Sequence, residues 1–234
     1  MERRLQPERM DDLDLDPGLH GEALQGLERI NRFSRSPAIL WPSLARCFRD
    51  FNVRSLRALD IATGAGDVPI RLWHLARRAG WELQIDGCDR SPVAIEHARR
   101  RAHQAGAKIR FFTHDPLVSG IPQGYDVLLC SLFLHHLSPD QAQQLLRLMG
   151  WAAARMVAVN DLVRGRAGLA LAAAGTRILS RSPIVHADGV SSVRAAFTMS
   201  EVRTLAQSAG LSGCSVSGRW PCRFLLTWMK PDEN

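Results

Sequence analysis

Apolar residues along the chain fall into short runs that alternate with longer stretches of helical spacing. Leu56, Ala58, Leu59 and Ile61 make the first run, a buried strand. Ile70, Leu72, Trp73, Leu75 and Ala76 give the helix that follows, to about Ala79. The rhythm repeats with a strand over 83–89, a helix from Ser91 to Gln104, and strands over 109–113, 125–131 and 156–160. The 125–131 run is apolar almost throughout, as a strand covered on both faces is. Strands alternating with helices predict a parallel, doubly wound α/β sheet. Thr198 and Glu201 frame a last helix that stops at Gly210. Stretches 212–219 and 222–229, on either side of Trp220-Pro221, then supply a closing pair of strands.

Two regions lie outside that rhythm. Residues 1 to 16 are charged and predicted to be loosely held, and from Pro17 to about Phe51 the apolar positions recur at helical spacing. Residues 1–52 therefore read as an N-terminal helical cap, in which Asn31, Arg32 and Ser34 are polar groups able to face inwards. The remainder, 53–234, reads as the second domain. Within it, 162–197 is the least generic part. A run of small apolar residues, Ala167 to Ala174, sits between arginines, and the polar stretch 184–194 is predicted to be a loop.

The first strand ends in Asp60-Ile61-Ala62-Thr63-Gly64-Ala65-Gly66-Asp67. A strand that stops at glycines and turns into a helix leaves backbone N–H groups facing a ligand, with no Cβ in the way. A dinucleotide fingerprint requires a small residue where Pro69 stands. Asp60 and Asp67 also put negative charge where a pyrophosphate would lie. A cationic or zwitterionic ligand fits better. At these residues the chain resembles the class I S-adenosylmethionine-dependent methyltransferases, whose first motif has the form D/E-x-x-x-G-x-G.

The resemblance spans about residues 53 to 229 and rests on the order of its stations. It implies a Rossmann-like, seven-stranded sheet, mostly parallel with an antiparallel closing strand, and S-adenosyl-L-methionine as cofactor. The implied donor-binding residues begin with Asp60, Ala62, Thr63, Gly64, Gly66 and Asp67. Asp89 ends the second strand, where a carboxylate can hold ribose hydroxyls, with Arg90 beside it. Asp115 matches the residue that bonds the adenine amino group, Pro116 follows it, and Leu117 matches the one packed on the ring. Cys130 and Ser131 close the fourth strand at the same edge.

The segment after the fourth strand, Ser131-Leu132-Phe133-Leu134-His135-His136-Leu137-Ser138, bears on the acceptor. It lacks the Asn/Asp-Pro-Pro-aromatic motif common in enzymes of this superfamily that methylate nucleobase amines. It looks instead like small-molecule methyltransferases. A histidine can take a phenol or enol proton near neutral pH. His135 and His136 are candidates for that base, or one caps the following helix while the other packs against the cofactor. His186 is a third candidate, and Asp161, at the end of the fifth strand, could orient an acceptor or a histidine. No motif spacing assembles a metal site, so a metal-independent reaction is expected. By family analogy the helical cap and the 162–197 insertion resemble methyltransferases of bacterial specialised metabolism that act on phenolic lipids or quinones. The expected acceptor is a hydrophobic small molecule, most simply a phenolic hydroxyl. C-methylation of an activated ring, RNA or protein methylation, a non-catalytic cofactor-binding module and an NAD oxidoreductase are the alternatives.

Composition narrows these little. A net charge of +7 admits nucleic acid, but a single tyrosine leaves little for base stacking and no specific nucleic acid is expected. A peripheral membrane or acidic carrier-protein contact stays open. Five cysteines without a C-x-x-C pair and the absence of an apolar leader suggest a cytoplasmic protein.

Overall fold

In a computed structural model, which describes residues 1–6 and 35–231, the alternating pattern becomes a seven-stranded sheet of order β3-β2-β1-β4-β5-β7-β6. Helix α1 (Ser36–Asp50) leads into β1 (Ser55–Ile61), α2 (Asp67–Arg78), β2 (Glu82–Asp89) and α3 (Pro92–Gln104). Next come β3 (Arg110–Thr113), the single turn α4 (Pro116–Ser119) and β4 (Tyr125–Ser131). A 3-10 turn (Leu134–His136), α5 (Pro139–Ala152) and β5 (Ala153–Leu162) follow. The chain closes with α6 (Arg166–Leu179), α7 (Pro183–Ala195), α8 (Met199–Ser208), β6 (Ser215–Arg219) and β7 (Arg223–Met229). Neighbours from β3 to β5 are parallel, and β7 lies antiparallel to both β5 and β6. This is the Rossmann-like fold of class I methyltransferases, with an N-terminal helix.

Side-chain alternation along the strands divides the core in two. Leu59, Ile61, Leu128, Cys130, Val157, Val159 and Phe224 face α5 and α8. Ala58, Leu129, Met156, Ala158 and Leu225 face α1, α2 and α3. Ile39, Leu40, Leu44 and Phe48 of α1 belong to that second cluster, so the helix is packed into the sheet. Asn31, Arg32 and Ser34 of the expected cap lie outside the described residues.

Two expectations are corrected. The polar stretch 184–194 is a helix, α7, started by Pro183 at its first turn. Ser191 and Ser192 donate to the Asp188 carbonyl at 3.0 and 2.8 Å, so their hydroxyls are satisfied inside the helix. Ile184, Val185 and Val193 are buried, and that burial overrides weak helix propensity. The extreme N-terminus is also held. Arg3 donates to the carbonyls of Ala195 and Leu137, both at 2.6 Å, and its guanidinium lies 3.8 Å from the centroid of the Phe197 ring.

Candidate functional site

The turn after β1 is shaped by left-handed backbone at Ala62, Gly64 and Gly66, with φ of 53°, 53° and 76°. The two glycines are needed for different reasons. A Cβ on Gly66 would come within 2.9 Å of the Phe111 ring, whereas one on Gly64 would point into open space. Close packing thus fixes the second glycine, and the first keeps clear the volume over the turn. Ala62 and, at the end of β4, Leu132 (φ 57°) hold left-handed backbone without being glycine. Strain of that kind gathers at ligand sites.

Asp60 is fully enclosed beneath this turn. Thr63 Oγ1 donates to its Oδ2 at 2.7 Å, while Oδ1 has no partner. Burial pushes the Asp60 carboxyl up to about 7; the Thr63 bond opposes this and the charge of Asp89 adds to it. A buried acceptor left without a donor costs roughly 1–3 kcal/mol. A cation placed over the turn would relieve both the missing bond and the like-charge stress. The residues present therefore fit a donor carrying a sulfonium and an ammonium, and do not fit a pyrophosphate.

Asp89 braces the same turn from β2. Its Oδ2 accepts the Gly64 N–H and its Oδ1 the Ser91 N–H, both at 2.9 Å. Its carboxylate stays half exposed at the sheet edge, with Arg90 exposed beside it. Asp115 caps α4 by accepting the Leu117 N–H at 2.9 Å, with Pro116 buried and Leu117 against the core. Asp67 is committed elsewhere, since Arg101 Nη2 sits 2.6 Å from its carboxylate. Cys130 is buried in β4, and Ser131 ends that strand with its Oγ enclosed and unpartnered.

Across β4 lies a second cluster. His135 is 5% exposed, and its Nδ1 stands 2.7 Å from Asp161 Oδ1, while its backbone N–H donates to Oδ2 at 3.0 Å. Leu162 N–H donates to Oδ1 at 2.6 Å. Burial works to raise the Asp161 carboxyl, but the charge and ring bond of His135 and the two backbone N–H groups prevail, and its pKa is lowered. An ionised carboxylate only accepts, so Nδ1 carries a proton, and when the ring is neutral its lone pair belongs to Nε2. The His136 ring lies against that of His135, tilted by 34° with centroids 4.2 Å apart, and is more exposed. His186 lies in α7, which packs on this 3-10 turn, and a ring nitrogen meets the Ser180 carbonyl at 2.8 Å. The structure thus brings His135 and Asp161 together and ties the ring of His186 to a backbone carbonyl.

The sequence reading missed Ser36, Asn160 and Arg223. Asn160 Nδ2 and Arg223 Nη1 both donate to Ser36 Oγ, at 2.9 and 3.3 Å. A polar residue inside the apolar run of β5 and an arginine opening β7 were the available signals.

With this edge described, known proteins bear on it. Residues 58–152 match the family model described as a methyltransferase domain. Over those residues, less than half of its length, the chain is similar to methyltransferase domains. The demethylmenaquinone methyltransferase of Thermus thermophilus is 37% identical over 68 residues, 29% of this chain and 29% of that protein. The methyltransferase SibL superposes with a TM-score of 0.71 at 20% identity, covering 97% of this chain and 63% of that one. An O-methyltransferase family 2 protein of Planctomyces limnophilus, solved with apigenin, gives 0.56 at 18% identity over 75% of this chain and 50% of its own. The chain spans less than two thirds of each of these relatives, and the solved structures speak to the fold alone. Among the described residues no helix is long and apolar enough to cross a membrane.

Proposed function

We propose that the protein methylates a hydrophobic small molecule at a phenolic hydroxyl, with His135 as base and Asp161 as its orienting partner. The buried 2.7 Å contact between His135 Nδ1 and Asp161 carries this reading. It fixes the tautomer of the neutral ring in which Nε2 holds the lone pair, as a proton-accepting histidine requires. Demethylmenaquinone and apigenin, named for two of the relatives, are oxygenated aromatics, which favours an acceptor of that class.

Asp60, Thr63 and the Gly64–Gly66 turn would hold the methionine portion of the donor, Asp89 its ribose, and Asp115 with Leu117 its adenine. S-adenosylmethionine supplies an activated methyl group on a sulfonium. The chain supplies position, because aligning acceptor and methyl provides much of the rate. His135 takes the hydroxyl proton, and Asp161 stabilises the charge that appears on the ring. Helices α6 and α7 form the acceptor wall, α7 being packed on the histidine turn. The test is an acceptor screen by mass spectrometry, seeking the mass gain of one CH2. Full turnover in His135→Ala would remove the base from this scheme.

A further inference from the structure

Among the described residues, the buried side-chain polar atoms without a hydrogen-bond partner are Asp60 Oδ1, Ser131 Oγ, Asn160 Oδ1 and Arg223 Nε. Strand register puts all four on one face. Asp60 pairs with Leu129, two residues before Ser131, and Ser131 pairs with Asn160. Asn160 pairs in turn with Leu225, two residues after Arg223. Alternation directs the four towards the face covered by α1, α2 and α3, where Leu129, Ala158 and Leu225 lie. They stand on β1, β4, β5 and β7, consecutive strands of the sheet, towards the carboxyl ends of its parallel strands. With strands about 4.8 Å apart and about 3.3 Å per residue, the row runs diagonally, about 14 Å across the strands and about 13 Å along them. Buried polar groups are nearly always satisfied, so a row of exceptions along one edge marks a surface kept for a ligand.

The ends of the row differ in charge. Asp60 at β1 suits the cationic part of the donor. At β7, Arg223 is 6% exposed, and its hydrogen bond runs from Nη1 to a neutral hydroxyl, Ser36 Oγ. Among the described residues Asp161 is the acid that influences it, from beyond ion-pair distance, and that carboxylate already serves His135 and Leu162. Burial lowers the Arg223 pKa to about 10, which still leaves it charged at neutral pH. Asn160, fully buried beside it, keeps Oδ1 unpaired.

We propose that Arg223 binds a carboxylate carried by the methyl acceptor, making that acceptor an anionic hydroxy-aromatic. The inference rests on the methyl-transfer reading above. A guanidinium takes a carboxylate in a planar, two-point contact, and Nε is one of the donors that fork uses. Arg223 pairs in register with Leu162, next to Asp161, so the anion anchor and the base support lie on adjoining strands. The donor has a carboxylate of its own, but it shares a carbon with the ammonium, so a donor seated over Asp60 keeps both at the β1 end.

Calorimetry on the full chain with S-adenosylhomocysteine present would compare salicylate and hydroxynaphthoate with their methyl esters. The acids are expected to bind about ten-fold more tightly. Arg223→Met removes that preference and leaves S-adenosylhomocysteine affinity unchanged. Asn160→Asp sets a protein carboxylate beside Arg223 and abolishes the preference too, which covers the case of an Arg223→Met chain that does not fold. Equal binding of acids and esters, or no binding of the acids, overturns the assignment. Loss of S-adenosylhomocysteine affinity in either variant also overturns it, by giving Arg223 to the donor. Acid-selective binding without any CH2 gain, across acids and esters alike, would instead sink methyl transfer and leave the carboxylate site standing.

Discussion

Asp161 grips His135 twice, accepting its ring Nδ1–H at 2.7 Å and its backbone N–H at 3.0 Å. The 3-10 turn and β5 are thereby joined through one carboxylate with no exposed oxygen. Asp161→Asn replaces an acceptor by a donor facing Nδ1, which favours the other tautomer and spoils Nε2 as a base. Turnover is expected to fall on the order of a hundred-fold, with S-adenosylhomocysteine affinity retained. Breaking one side of a buried pair also costs about 3 kcal/mol, read as a lower denaturation midpoint. Because the Asp161 pKa is lowered on folding, its contribution is present above the unfolded carboxyl pKa and is lost as pH falls through the folded value.

Asp60 has the opposite sign. Its pKa of about 7 exceeds the unfolded value, so its contribution to stability is greatest in acid and is lost as pH rises towards 7. Asp60→Asn removes that cost and is expected to raise the apo melting temperature at pH about 8, by on the order of 5 °C. The same variant should weaken S-adenosylmethionine binding. In the parent protein, a cation over Asp60 drives its proton off. Calorimetry in buffers of different ionisation heat should show proton release on binding below neutrality, fading in alkali. No release at pH about 6 would place the cation elsewhere.

The two turn glycines should separate folding from binding. Gly66→Ala drives a methyl into Phe111, and thermal melts should show a large loss of stability. Gly64→Ala meets nothing in the protein and bears only the strain of left-handed backbone, about 1 kcal/mol. It should fold and yet lose S-adenosylhomocysteine affinity. If Gly64→Ala binds normally, the open volume is not the donor's.

Arg3 ties the N-terminus to the site. Besides Ala195 and Leu137, its Nη2 reaches the His135 carbonyl at 3.3 Å, and Arg164 Nε donates to the Met1 carbonyl at 3.0 Å. Arg3→Ala should loosen the histidine turn, with faster hydrogen exchange at 134–137 and lower turnover. Unchanged exchange there would make the strap incidental.

Much of the geometry proposed to hold the donor was legible in the chain because it is local. The glycine turn, the strand before it and the carboxylates at the ends of β2 and β3 are set by neighbours in sequence and by the edge rule of open α/β sheets. The chain also gave the strand–helix alternation and the closing pair. Folding decided which histidine meets Asp161, since residues 26 apart in sequence carry no periodic signal of contact. It likewise turned 184–194 into a helix through burial, and committed Asp67 to Arg101. The row from Asp60 to Arg223 exists only once β7 lies against β5, because strand pairing sets which side chains share a face. Local pattern determines the elements, and register between distant strands determines the company each side chain keeps.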